Sequence, residues 1–119
     1  HRAHEVYLRS EIALSVSLMN DLDCYSSERL HRILGCGCLA LVKTFPMLST
    51  WGLVDGINCA TWDTPLEAVE RAQVLLADPE RLERIAQAGA MLARERHTWI
   101  ARMLELVPLV EAVRAARKP

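Results

Sequence analysis

Glu11-Ile12-Ala13-Leu14-Ser15-Val16-Ser17-Leu18-Met19, followed by the polar run Asn20 to Ser26, the segment Ser27-Glu28-Arg29-Leu30-His31-Arg32-Ile33-Leu34-Gly35-Cys36-Gly37 and the run Cys38-Leu39-Ala40-Leu41-Val42, decides the fold. Ile12, Leu14, Val16 and Leu18 alternate with small residues. That period predicts a strand over Ile12–Leu18 with one strongly apolar face and one face small enough to lie under a helix. Asn20 to Ser26 reads as a loop. Ser26 or Ser27 can cap a helix that runs to Leu34. Gly35-Cys36-Gly37 ends it, because glycine enters the left-handed region at little cost. Leu39 to Val42 is apolar at every position, as expected of a strand buried on both faces of a parallel sheet. Strand, helix, strand in that order implies a right-handed crossover.

Working outward, Ala3 to Arg9 reads as a short helix. Pro46-Met47-Leu48 suggests a helical turn, Asp55-Gly56 a turn, and Asn58 to Trp62 a third strand. From Thr64 the pattern is helical. Thr64-Pro65-Leu66-Glu67 is a capping box with proline at the first helical position. Leu66, Val69, Ala72 and Leu76 mark its apolar stripe. Asp78-Pro79 restarts a helix, with Leu82, Ile85, Gly89 and Leu92 inward and Glu80, Arg81, Glu83 and Arg84 toward water. Thr98 can cap a last helix with Trp99, Ile100, Met103, Leu104, Val107 and Val110 inward. Pro108 is expected to kink or break it, and Arg114, Arg117 and Lys118 suit its C-terminus. Residues 1–63 are therefore read as βα units and residues 64–119 as mainly helical. The class is α/β: a Rossmann-like three-layer parallel sheet with a helical C-terminal tail.

Composition narrows the function. The chain has 119 residues, 51% of them apolar, and a net charge of -1. One domain with a real core fits that length, and a disordered chain does not. The near-zero balance and 5% aromatic content argue against nucleic acid as a partner. No apolar run is long enough for a transmembrane segment. Cys24, Cys36, Cys38 and Cys59 form no C-x-x-C pair, and with His31 they match no standard zinc spacing. Metal binding is therefore not expected. Four free thiols point to a reducing, cytoplasmic compartment. Three strands are few for a parallel sheet, and one as apolar as Leu39–Val42 does not belong at an edge. The chain also starts at His1, without Met or a signal peptide. Both points lead us to expect further strands before His1 or from a partner.

The chemistry sits in the strand–loop–helix unit. In open parallel sheets, ligands bind beyond the carboxyl ends of the strands. The N-terminus of the Ser27–Leu34 helix points its unpaired N–H groups there and suits a phosphate. Ser26 and Ser27 add hydroxyls, and Arg29 and Arg32 can reach a diphosphate. The residues alone favour a capped helix with two solvated arginines over a phosphate site. No G-x-G-x-x-G or Walker A sequence is present.

Arg29-Leu30-His31-Arg32-Ile33-Leu34-Gly35-Cys36-Gly37-Cys38-Leu39-Ala40-Leu41 resembles the helix-to-strand junction of group 1 glycosyltransferases. Leu53-Val54-Asp55-Gly56-Ile57-Asn58 resembles their turn before the third strand, and Leu66-Glu67-Ala68-Val69 the helix opening after it. Leu75-Leu76-Ala77-Asp78-Pro79-Glu80-Arg81 is similar to their inter-helix linker, and Arg94 to Trp99 to the start of their last helix. Order and spacing together carry the resemblance over nearly the whole chain. It implies a partial C-terminal, nucleotide-sugar-binding domain of a two-domain GT-B enzyme, using no metal or other cofactor. The missing N-terminal domain would bring the acceptor site and any catalytic base. Tyr25, Ser26, Ser27 and Arg29 would hold the donor diphosphate. Arg32 stands where the family commonly has a ribose-binding Glu, and Cys24 where many members have a second one. Arginine only donates hydrogen bonds, so Asp21, Asp23 or Glu28 would have to substitute, or donor binding is lost. The alternative is thus a non-catalytic interaction module on the same fold.

Other residues read as structural. His97 is expected to pack or cap, and His31 to be structural rather than catalytic. His1 and His4 carry little signal. Trp51, Trp62 and Trp99 read as core, with Trp51 and Trp62 retaining a chance of lining the cleft. No Ser–His–Asp or Cys–His pairing can be assembled.

Overall fold

A computed structural model describes residues 2–117; His1 and Lys118, named above, lie outside the described residues. Helix α1 (Ala3–Leu8) precedes strand β1 (Ile12–Ser15), helix α2 (Glu28–Gly35) and strand β2 (Leu39–Lys43). A short 3-10 helix (Leu48–Trp51) leads to strand β3 (Ala60–Trp62), then helices α3 (Pro65–Leu76), α4 (Pro79–Arg96) and α5 (Trp99–Ala116). The sheet runs β1-β2-β3 and is parallel throughout, with Ile12 opposite Leu39 and Leu41 opposite Ala60. This is the α/β, Rossmann-like arrangement with a helical C-terminal segment. The wholly apolar strand β2 is central, and Leu39 to Val42 are all buried.

Local chemistry explains the element ends. Gly37 takes φ +73°, and the N–H groups of Gly37 and Cys38 donate back to Leu34 and Ile33, closing α2. Glu67 N–H donates to Thr64 Oγ1 at 3.2 Å while Glu67 Oε2 accepts from Thr64 N–H, completing the capping box of α3. Asp78 accepts from Arg81 N–H and Thr98 from Ala101 N–H, capping α4 and α5. Asn58 staples its loop, accepting from Val54 N–H and donating to the Gly52 carbonyl.

Two apolar layers sandwich the sheet. One joins Leu30, Ile33 and Leu34 of α2 to Ala13, Ala40 and Val42. The other joins Leu75 of α3 and Leu82, Ile85 and Ala86 of α4 to Leu39, Leu41 and Trp62. Helix α4 serves both, since Ala93 near its end belongs to the first layer.

Four expectations are corrected. β1 stops at Ser15 rather than Leu18; its small face, Ala13, Ser15 and Ser17, is buried as expected of a face under a helix, but on the apolar face Leu14 and Leu18 are exposed and only Ile12 and Val16 are partly buried, against the α3–α4 layer. Small side chains let α2 approach closely. The third strand is Ala60–Trp62 rather than Asn58–Trp62; Cys59 makes an isolated bridge to Asp55. In α3, Leu66, Val69 and Leu76 are exposed, and the inward stripe is Ala68, Ala72 and Leu75. In α5, Trp99, Ile100, Met103, Leu104, Val107 and Val110 all face outward, and the helix runs through Pro108 unbroken. Helix α5 meets the rest of the molecule chiefly at α4.

Candidate functional site

Strand β1 delivers the chain to the end of the sheet where α2 begins. Asn20 holds the exit, accepting from Ser17 N–H and donating to its carbonyl. Ser17 Oγ then accepts from Ser27 N–H at 3.2 Å. This fixes Ser27 as the residue before α2, in extended conformation, but its hydroxyl does not cap the helix. Ser27 Oγ is instead buried without a partner among the described residues. A buried hydroxyl without a partner costs about 1–3 kcal/mol, and this one sits at the positive end of α2. Arg29, the second residue of α2, is exposed and among the described residues reaches only the Val16 carbonyl, at 3.5 Å. Tyr25 is exposed and Ser26 half-buried. Cys24, just before them, adopts φ +54° with its N–H on the Pro46 carbonyl.

The other flank of α2 carries Glu28 and Arg32. Arg32 Nε and Nη2 both donate to Glu28 Oε1, at 3.1 and 2.7 Å, with Oε2 unengaged among the described residues. These two line a cleft of about 520 Å³ with His31, Trp51, His97, Trp99 and Arg102. Tyr25, Ser26, Ser27 and Arg29 do not line it. The structure therefore places the named residues on two sides of one helix: a hydroxyl-and-amide end and a charged, aromatic flank.

The flank is organised by stacking. The His31 ring lies 5.0 Å from Trp51 and 5.1 Å from His97, and Trp51 lies 5.8 Å from His97. Burial lowers the pKa of both imidazoles; for His31 the neighbouring His97 and Arg102 act in the same direction. His31 Nδ1 is buried with no partner among the described residues. His97 thus packs as expected, and Trp51 lines the cleft. Trp99, expected in the core, is instead 83% exposed at the rim, because α5 turns it away from the sheet. Sequence spacing gives no sign that residues 31, 51 and 97 converge. The sole hint is the Arg94-to-Trp99 segment, and it marks only a helix start.

Among the described residues, no group of three His, Cys, Asp or Glu could hold a metal ion, and no helix is long and apolar enough to cross a membrane. Compared with known protein families, residues 1–107 match a family described as glycosyl transferase-like. That span contains the whole sheet, both flanks of α2 and the start of α5. A comparison with curated proteins gives no match.

Proposed function

The chain belongs to the glycosyl transferase-like family, and from that premise we propose that it is a partial GT-B donor domain, binding a nucleotide-sugar whose sugar goes to an acceptor held by a companion domain. The carrying observation is the unpartnered, buried Ser27 Oγ at the N-terminus of α2. In this reading the donor diphosphate takes the first N–H groups of α2, the Ser26 and Ser27 hydroxyls and the Arg29 guanidinium, with Tyr25 alongside. Charge grows on the diphosphate as the glycosidic bond breaks. Fixed dipoles and a cation aimed there hold the leaving group better than they hold the ground state.

Glu28 answers the substitution at Arg32. Glu28 lines the cleft, and among the described residues both Arg32 donors go to its Oε1 and none to Oε2. A carboxylate accepts hydroxyl hydrogen bonds that an arginine cannot, so Glu28, held in place by Arg32, is assigned the donor's ribose hydroxyls. A cytoplasmic setting fits the free thiols.

Melting temperature in the presence of millimolar nucleoside diphosphates tests the reading. A rise is expected; no shift, with the protein folded, refutes it. Arg29→Ala should weaken binding by about 1.5–3 kcal/mol for each charge-assisted hydrogen bond that it removes. If Arg29→Ala binds unchanged, the phosphate assignment is wrong. The second reading, a non-catalytic interaction module, is favoured by Arg32 standing in place of the Glu. It requires a partner whose binding survives substitution of Ser27 and Arg29.

A further inference from the structure

Helix α5 packs on the body chiefly through α4 and its own first turn, where only Ala101 and Arg102 are partly buried. His97 ends α4, and Thr98 caps α5. No described residue of α5 is buried. His97 uses both ring nitrogens across this joint. Nε2 lies 2.8 Å from the Trp51 carbonyl oxygen, and Nδ1 lies 2.9 Å from Nη2 of Arg102 on α5. A guanidinium has donors only. Nδ1 must therefore accept, and Nε2 must carry the hydrogen that it donates to Trp51. The arrangement exists for the neutral imidazole alone. A proton on Nδ1 would abolish the acceptor and set an imidazolium against a guanidinium.

From this geometry we infer that the α4–α5 joint is a proton-operated latch: neutral His97 fastens α5 through Arg102, and protonated His97 frees it. The surrounding charges set its bias. From α2, the His31 ring lies tilted against His97 while Glu28 and Arg32 share the cleft. From α4 comes Arg96, and from α5 come Arg102 and Glu105, the last two paired at 3.1 Å. The 3-10 helix offers Trp51, its carbonyl and no charge. Burial, together with three arginines against two carboxylates, opposes the proton and outweighs the Trp51 carbonyl, whose hydrogen bond favours it. Burial is the largest influence holding His97 below its ordinary value of 6.5. The fastened state is therefore fully favoured above the ordinary histidine pKa and loses ground as pH falls below it. The ratio of freed to fastened α5 then rises by up to about tenfold per pH unit.

The test places spin labels on α3 and α5, at Glu70→Cys and Glu111→Cys, with the exposed Cys24 and half-exposed Cys36 replaced by Ser. Distances are measured between pH 7.5 and 5, beside an NMR titration of the His97 ring. One narrow distance at pH 7.5 is expected to broaden or shift at low pH, with the midpoint of the ring titration. His97→Gln supplies an acceptor for Arg102 and a donor for Trp51 without titrating, so it should keep the narrow distance throughout. His31→Gln should leave the switch in place. An α5 distance that stays constant while His97 takes up its proton overturns the latch. So does a change that persists in His97→Gln, including loss of far-UV circular dichroism at the same pH.

Discussion

The carbonyl oxygen of Asn58 lies 2.6 Å from the point where a β-carbon on Gly89 would stand. Leu34 Cδ2 lies 2.9 Å from the same point, so the end of α2, the entry to β3 and the middle of α4 meet over a missing side chain. Glycine inside a helix ordinarily costs about 0.5–1 kcal/mol relative to alanine. Here the close approach outweighs that gain, because a backbone carbonyl cannot swing aside. Gly89→Ala should lower stability by about 1–3 kcal/mol. Urea unfolding checks it, and a stabilised variant would contradict the packing described.

Asp55 ties the turn before β3 to α3. Its carboxylate accepts from Thr61 N–H at 2.7 Å and from Arg71 Nη1 through both oxygens. Burial alone would push its pKa up, but the Thr61 and Arg71 contacts prevail and hold it below the ordinary 3.8. A depressed carboxylate pKa stabilises the fold above the unfolded value, and that contribution fades as pH falls through the folded one. The group is part exposed, so Asp55→Asn should cost only about 0.5–1 kcal/mol at pH 7. The gap from the parent protein should close below about pH 4 in thermal unfolding across pH.

The four thiols should react in two classes. Cys38 and Cys59 are buried, and burial pushes their pKa values up to about 11 and about 12. Cys24 is exposed and Cys36 half-exposed. The thiolate is the reactive form. Alkylation at pH 8 followed by peptide mass spectrometry should label Cys24 and Cys36 first. Cys38 and Cys59 should label only once denaturant opens the core.

Thr64 closes a full capping box, so Thr64→Ala should cost about 1 kcal/mol. Glu67 Oε2 also accepts from Asp63 N–H at 2.7 Å. Thr64→Ala with Glu67→Ala should therefore cost more than the first change alone. Denaturant midpoints of the single and double variants measure both.

The sequence made legible what rests on local chemistry. Thr64 with Glu67, Asp78 with Pro79 and Gly37 each fix an element end within a few residues. The unbroken apolar run of β2 identifies the central strand. The alternation in β1 marks the small face, Ala13, Ser15 and Ser17, that lies under α2. It does not show that Leu14 and Leu18 of the other face stay exposed, because coverage depends on a neighbour. Helix α5 carries apolar residues on every side among its few charges, so the stripe read from it did not fix which face turns inward. Ser27 and Arg29 were legible as a helix start. The stacking of His31, Trp51 and His97 joins three distant stretches of chain and follows only from how α4 crosses the fold.

That crossing governs how the molecule comes apart. Leu82, Ile85 and Ala86 anchor α4 in one layer, and Ala93 anchors it in the other. Neither layer can open while the helix keeps its place, and neither keeps its place once the helix leaves. Heat and denaturant should therefore find a single cooperative unit, melting in one transition with α2 and α3 reporting the same midpoint.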